Sequence, residues 1–176
     1  MAGYLEYCRN SGIQILPPDI NKSQRKFSVE KNDGRYCIRF GLGAIKSCGE
    51  RAIDSIISER RIGGKYTDIY NFCSRMSSDL VNKRAVESLI LSGAFDCTGG
   101  NRAQLHAVYE KALDSASRAR RTVIAGQMSM FDDQEIDPFT PQLPDIPDYD
   151  ARERRALEKS VTGLYITGHP LSDYTE

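Results

Sequence analysis

The chain has no long apolar run, few histidines and no closely paired cysteines. Its longest apolar runs, such as residues 89–91, are far shorter than the roughly 20 residues that span a bilayer. The start of the chain also lacks the charged-then-apolar pattern of a signal peptide. Two histidines and five cysteines without a CxxC pair disfavour a zinc site or a disulfide framework. We therefore expect no membrane partner and a cytoplasmic protein with free thiols.

The net charge is zero, because 24 basic residues balance 24 acidic ones. This balance conceals a separation along the chain. Residues 1–126 contain 20 basic and 13 acidic residues, whereas residues 127–153 contain 1 basic and 8 acidic residues. A net charge of +7 suits contact with nucleic acid, and the net charge of −7 that follows marks where such contact should end. Apolar residues make up 40% of the 176 residues, enough for one ordinary domain or two small ones.

The periodicity of apolar residues predicts a mostly α fold with a small β-hairpin. Strands at residues 27–30 and 36–40 flank the turn Asn32-Asp33-Gly34, which tolerates positive φ. A short helix is predicted at the start of the chain, and Thr67 is a candidate N-cap. Further helices are predicted over about residues 49–61, the stretch after Thr67, 82–92, the stretch after Asn101, and 151–160. Residues 127–150, rich in proline and acid, should be extended or disordered unless docked.

The segment from Leu42 to Ile53 resembles a helix-hairpin-helix motif, with an apolar turn, a hairpin of small residues and the start of an amphipathic helix. In that motif, backbone N–H groups at the second helix's N-terminus approach a phosphate oxygen, so the contact has no sequence preference. Ser47 replaces a glycine that is usual in the motif. Many glycine-rich helix connections bind nothing, so spacing alone leaves a structural role open. The candidate phosphate contacts are Lys46, Ser47, Cys48, Gly49 and Arg51.

A second hairpin is predicted between the third and fourth helices, with Gly99, Gly100, Asn101 and Arg102 as candidate phosphate contacts. Asn101 can cap the fourth helix. Arg102 would lie in that helix's first turn, where a cation is unfavourable for the helix dipole. Arg102 therefore either meets a phosphate or pairs with Asp96, and the sequence leaves both open. Two such hairpins would form a tandem helix-hairpin-helix domain that clamps both strands of a duplex.

Gln127-Met128-Ser129-Met130-Phe131 has apolar anchors in a polar context, which is typical of a linear segment that inserts into a partner's pocket. Alternatively, Met130 and Phe131 fold back onto the domain's own core. Other motifs are excluded: the run from Gly41 to Lys46 has lysine where a dinucleotide fingerprint needs its third glycine, and a P-loop is absent. We find no self-contained active site.

Seven segments in order resemble the alpha subunit of bacterial DNA polymerase III, a replicative polymerase of the C family. They are Gly12–Asn21, Ile38–Lys46, Val81–Arg84, Ser92–Asp96, Gly99–Arg102, Gln127–Phe131 and Gly168–Leu171. The resemblance implies four regions. Residues 1–41 would end the fingers, 42–126 would be the helix-hairpin-helix DNA-binding domain, 127–150 the clamp-binding motif and acidic linker, and 151–176 a helix leading to a truncated downstream domain.

The resemblance also implies a parent DNA-directed DNA polymerase, a nucleotidyltransferase whose Mg²⁺-binding aspartates lie in a palm upstream of Met1. This chain would then be a non-catalytic fragment without a cofactor or metal site of its own. Its implied partners are template-primer duplex DNA, the sliding clamp and other replicase subunits. Gln127 would hydrogen-bond at the rim of the clamp pocket, while Met130 and Phe131 would fill its apolar cleft.

Two alternatives remain open at this point. The chain could be an independent nuclease or glycosylase that uses the hairpins to reach DNA, although we find no carboxylate or lysine constellation beside them. It could also be a protein-interaction adaptor in which both hairpins are purely structural.

Overall fold

A computed structural model describes residues 3, 7–8, 11–77, 79–124 and 142–168. Its sheet has three strands, β1 (Ile15–Leu16), β2 (Ser28–Asn32) and β3 (Arg35–Arg39), in the order β1-β3-β2. The predicted hairpin is confirmed, because β2 pairs antiparallel with β3 and both Asp33 and Gly34 have positive φ. Strand β1, which was not among the predicted strands, pairs in parallel with β3.

Five helices lie within the described ranges, so the mostly α fold with a small hairpin is confirmed. They are α1 (Glu50–Ile62), α2 (Ile69–Arg75), α3 (Lys83–Leu91), α4 (Arg102–Ile124) and α5 (Ala151–Thr162), preceded by a 3₁₀ turn at Leu42–Ala44. The helix predicted at the start of the chain falls mostly on residues outside the described ranges.

Polar side chains cap most of these helices at their N-termini. Asn82 accepts from the Ala85 N–H of α3 at 2.9 Å, and Asp150 accepts from the Glu153 N–H of α5 at 2.7 Å. The prediction that Thr67 caps α2 is wrong, because Asp68 accepts from the Asn71 N–H at 2.8 Å. The helix begins one residue later than predicted, and a carboxylate at that place also interacts favourably with the helix dipole.

The sheet region and the helices share one hydrophobic core. Ile20 and Phe40, from the strand region, are fully buried in the same cluster as Phe72 of α2 and Leu89 of α3. Phe72 makes edge-to-face contacts with Tyr66 and Phe95, with ring centroids 5.0 Å apart in each pair. Residues on both sides of position 41 are therefore packed together, and the hairpin that follows this position is supported from both directions.

The described part of the acidic linker, residues 142–150, is docked on α4. The Asn101 amide donates to the Ile146 carbonyl at 2.9 Å, and the Gln104 amide donates to the Pro144 carbonyl at 2.8 Å. Leu143 packs against the core. Residues 125–141, including Gln127, Met130 and Phe131, lie outside the described ranges. Within those ranges, no helix is both long enough and apolar enough to cross a membrane.

Candidate nucleic-acid interface

The first predicted hairpin connects the 3₁₀ turn to α1, and Ser47 forms its tightest point. Ser47 has φ of 62°, in the left-handed region that glycine adopts more readily than any other residue. Serine at this position therefore keeps the backbone conformation expected of the glycine it replaces. Gly49 follows with an extended backbone (φ −66°, ψ 155°) and directs the chain into α1.

The N-terminus of α1 is uncapped and exposed. Gly49 provides no side chain, so no cap hydrogen bond forms there, and the first N–H groups of a helix have no partner within the helix itself. A Cβ atom added at Gly49 would meet no other atom within 4 Å. A helix N-terminus with unpaired N–H groups and the positive end of its dipole favours an anion. Within the described ranges, the space directly beside Gly49 is therefore open to an approaching anion.

The charges around this turn favour an anion overall. Glu50, in the first turn of α1, forms an ion pair with Arg25, whose guanidinium also lies 3.6 Å from Asp54. Arg51 is exposed. Lys46 is exposed as well, and its ammonium donates to the Ser160 carbonyl at 2.7 Å, while its backbone N–H donates to the Val161 carbonyl at 2.8 Å. Lys46 therefore ties the hairpin to the end of α5 and still has two N–H donors.

Cys48 packs the hairpin against α3. Its sulfur lies 3.7 Å from the Ala85 carbonyl oxygen, and burial raises the pKa of the thiol to about 12, so the thiol stays neutral near pH 7. This contact places the first turn of α3 beside the hairpin. That turn contains the exposed Arg84, which sequence reasoning had not selected. Two cations directly after the N-cap Asn82, where the dipole disfavours them, were the signal that could have identified it.

In the second hairpin, the structure resolves the two alternatives for Arg102. Its guanidinium bonds Asp96 through two atoms, Nε to Oδ1 at 2.9 Å and Nη2 to Oδ2 at 2.7 Å, and its side chain is only 3% exposed. Gly93, with φ of 84°, lies so close to this guanidinium that an added Cβ would overlap it. Arg102 therefore faces the protein interior and is paired by Asp96.

The N-terminus of α4 is covered by the protein itself. Asn101 accepts from the Gln104 N–H at 2.8 Å, which confirms it as the cap, and Asp148 accepts from the Ala103 N–H at 3.3 Å. Leu143 occupies the space beside Gly100 that a Cβ would fill. Gly99 is exposed at the edge of this turn. The two hairpins thus differ, because side-chain acceptors occupy the helix end in the second, whereas none of the described side chains caps the helix in the first.

No acid–base or metal chemistry is brought together at either hairpin. Across the described residues, no group of three or more His, Cys, Asp or Glu side chains could hold a metal ion. What the first hairpin offers is a set of hydrogen-bond donors and cations, which can bind an anion.

The fold and the first hairpin are those of a helix-hairpin-helix protein, and comparison with known sequences agrees. A helix-hairpin-helix motif matches residues 12–105, more than half of the chain, which therefore belongs to the helix-hairpin-helix family. Its relatives are DNA polymerase III alpha subunits, as the sequence had indicated. The chain is 37% identical to the subunit of Vibrio cholerae and 40% identical to that of Neisseria meningitidis serogroup B, over 99% and 98% of the chain. In both comparisons it spans 15% of the relative's length.

Proposed function

We propose that this chain is a DNA-binding segment of a replicative DNA polymerase that holds the backbone of duplex DNA without reading its sequence. The observation that carries the proposal is the uncapped, exposed N-terminus of α1 behind the Ser47 turn. Membership of the helix-hairpin-helix family and the similarity to DNA polymerase III alpha subunits support it. Because backbone N–H groups contact phosphate and not base edges, the binding gives affinity and register without specificity.

The role of the chain is positional. A phosphate oxygen accepts from the first N–H groups of α1, while Lys46, Arg51 and Arg84 add favourable charge around it. The parent polymerase, a cytoplasmic DNA-directed nucleotidyltransferase acting with other replicase subunits, would perform its Mg²⁺-dependent transfer in a palm outside this chain. In this proposal the segment is inactive alone and keeps the product duplex aligned behind the active site.

The test is the affinity of the chain for two duplexes of unrelated sequence, measured by fluorescence anisotropy over a range of salt concentrations. We expect equal affinities and a steep loss with salt, with a slope of at least about −3 from the three phosphate contacts of the hairpin. Arg51→Glu should weaken binding to both duplexes, and Arg35→Glu at the tip of the β-hairpin is the matched control. A flat salt response, or a marked preference for one sequence, would contradict the proposal and favour the adaptor alternative.

We infer further that Gln127, Met130 and Phe131 bind the sliding clamp. The similarity to an alpha subunit, which extends over 99% of the chain, supports the inference, and so does the charge of the segment. Residues 127–153 carry a net −7, which repels DNA and leaves the motif available to a protein partner. A clamp held at the same DNA as the hairpin would raise the effective concentration of polymerase there.

Phe131→Ala should abolish capture of the chain by an immobilised sliding clamp and leave its DNA affinity unchanged. Phe139→Ala, in the same acidic segment, is the matched control and should be captured like the unmodified chain. Equal loss of clamp capture and DNA binding on Phe131→Ala would mean that Phe131 belongs to the core. Incision of DNA by the chain in the presence of Mg²⁺ would instead support the nuclease or glycosylase alternative.

A further inference from the structure

A shallow basic groove lies beside the first hairpin, and we propose that it binds a second stretch of the same nucleic-acid backbone. The groove has a volume of about 350 Å³. Residues 24–26 form one wall, and Asp54, Ile57, Ser58 and Arg61 of α1 form the other. The proposal rests on the proposed function, since one duplex would follow both the hairpin and this groove.

Two glycines fix the basic wall of the groove to the hairpin. The Leu42 N–H donates to the Gln24 carbonyl, and the Gly43 N–H donates to the Arg25 carbonyl, both at 2.9 Å. A Cβ on Gly43 would lie 2.7 Å from that Arg25 oxygen, and one on Gly41 would lie 2.5 Å from the Lys26 carbonyl carbon. Real Cβ atoms do not come so close to backbone, so the approach requires glycine at both positions.

This packing accounts for the Gly41-x-Gly43 pattern that was excluded as a dinucleotide fingerprint. The two glycines let the loop at residues 24–26 lie directly against the 3₁₀ turn that leads into the hairpin. The backbone that carries Arg25 and Lys26 is therefore fixed beside the turn that leads into α1. A preorganised cation loses less conformational entropy on binding than one on a mobile loop.

The charge of the groove is available to a ligand. Among the described residues, none forms an ion pair or hydrogen bond with the charged groups of Lys26 and Arg61 in the groove, or of Arg51 at the neighbouring hairpin. The two carboxylates nearby, Glu50 and Asp54, both interact with Arg25, which reduces their repulsion of a phosphate. By contrast, Lys83 of α3 is occupied by Glu110 and Asp114 of α4.

The geometry fits a backbone better than a single small anion. Arg51 and Arg61 are ten residues apart on the exposed side of α1, a distance of about 15 Å along the helix axis. Phosphates of one strand recur about every 3.4 Å along the duplex axis, so this stripe spans roughly four base pairs. The hairpin and the groove would therefore contact different phosphates of one duplex, and the groove would add salt-dependent affinity without sequence preference.

The experiment uses the whole 176-residue chain and two unrelated 20-base-pair duplexes, with affinity measured by fluorescence anisotropy over a salt series. Lys26→Ala with Arg61→Ala should reduce the salt slope by about two and lower the affinity on the order of ten- to a hundredfold at about 0.1 M salt. Lys31→Ala with Arg35→Ala, at the far end of the β-hairpin, removes the same charge and should change the affinity less than threefold.

A second variant moves the groove wall without altering any charge. Gly43→Ala should displace the loop, reduce the salt slope and weaken binding, whereas Gly3→Ala, where an added Cβ meets nothing within 4 Å, should bind normally. Urea denaturation of each variant shows whether it remains folded. If Gly43→Ala unfolds the chain, the comparison of the two double variants described above tests the proposal instead.

The outcomes separate this inference from the proposed function. If the unmodified chain binds neither duplex, both fail. Suppose instead that the unmodified chain binds and Arg51→Ala weakens binding. If Lys26→Ala with Arg61→Ala then binds like the control Lys31→Ala with Arg35→Ala, the groove is not a contact surface. That result overturns this inference alone.

Discussion

At the scale of single residues, the conformation of the first hairpin depends on the backbone at Ser47 and at Gly49. Ser47 occupies the left-handed region at φ 62°, which costs a non-glycine residue roughly 1 kcal/mol. Gly49 leaves the N-terminus of α1 uncapped, although serine, asparagine or aspartate would be a better cap there. Both positions hold a residue that stability alone would not select, and both lie where a phosphate would approach.

Gly49→Asp should therefore change stability and binding in opposite directions. A carboxylate at this cap position would accept from the first N–H groups of α1 and interact favourably with the dipole, raising the free energy of unfolding by about 0.5 kcal/mol. The same carboxylate would occupy the anion position and lower DNA affinity at least tenfold, on the order of one lost phosphate contact. Urea denaturation and fluorescence anisotropy measure the two effects.

Asp54→Asn is a useful comparison, because it alters charge on α1 without capping the helix and should not weaken DNA binding. If Gly49→Asp left DNA affinity unchanged, the end of α1 would not be the phosphate site.

At the scale of elements, the two hairpins differ in what covers the helix that follows. The end of α1 is open, while the end of α4 is covered by Asn101, Asp148 and the segment at residues 142–150. Arg102 holds this second turn together from inside through its ion pair with Asp96. The second hairpin is thus stabilised by contacts within the chain, whereas the first is the one we propose to bind DNA.

Asp96→Asn should lower the free energy of unfolding by about 2 kcal/mol and leave DNA affinity unchanged. Removing one partner of a buried ion pair costs roughly 3–5 kcal/mol, and this cost is reduced here because the Asp96 side chain is 40% exposed. Asp114→Asn, which loosens the exposed pair with Lys83, should change the free energy of unfolding by less than about 0.5 kcal/mol. Urea denaturation compares the two variants. If Asp96→Asn lost DNA binding while its stability stayed unchanged, Arg102 would be a DNA contact after all.

At the scale of the whole molecule, one core supports both the sheet and the helices, and several ionisable groups are buried within it. Burial raises the pKa of the Cys73 thiol to about 12, and the pKa of Tyr66 likewise to about 12. Both groups are neutral when protonated, so the folded state keeps them protonated at a pH where the unfolded chain would release the proton.

Stability should accordingly decline as pH rises. The contribution of Cys73 is fully present below the unfolded thiol pKa of about 8.5 and is lost as pH rises from there towards 12. Between pH 7 and pH 10 this loss is up to roughly 2 kcal/mol in the free energy of unfolding. The measurement is urea denaturation at the two pH values, with Cys73→Ala as the control variant. An equal decline with pH in that variant would mean that Cys73 does not contribute.

Much of the fold could be predicted because its determinants are local. The Asn32-Asp33-Gly34 turn specifies its hairpin, Asn82 and Asn101 cap their helices, and the apolar spacing in α1 defines its buried face. The first hairpin was likewise identified from a short segment, and Ser47 adopts there the left-handed conformation that glycine favours. These features depend on residues within a few positions of each other, so the local sequence is enough to predict them.

Contacts between distant residues were decided only by the tertiary structure. Arg102 and Asp96 are only six residues apart, but the sequence left two partners open, and packing selected Asp96 because the side chain is buried against that carboxylate and the Leu91 carbonyl. The covering of α4 by residues 143–148 and the pinning of residues 24–26 by Gly41 and Gly43 join segments far apart in the chain. The sequence by itself determined the family, the local turns and the segregation of charge. Which hairpin is open to a ligand depended on long-range packing, since a helix end is available only if no other part of the chain folds over it.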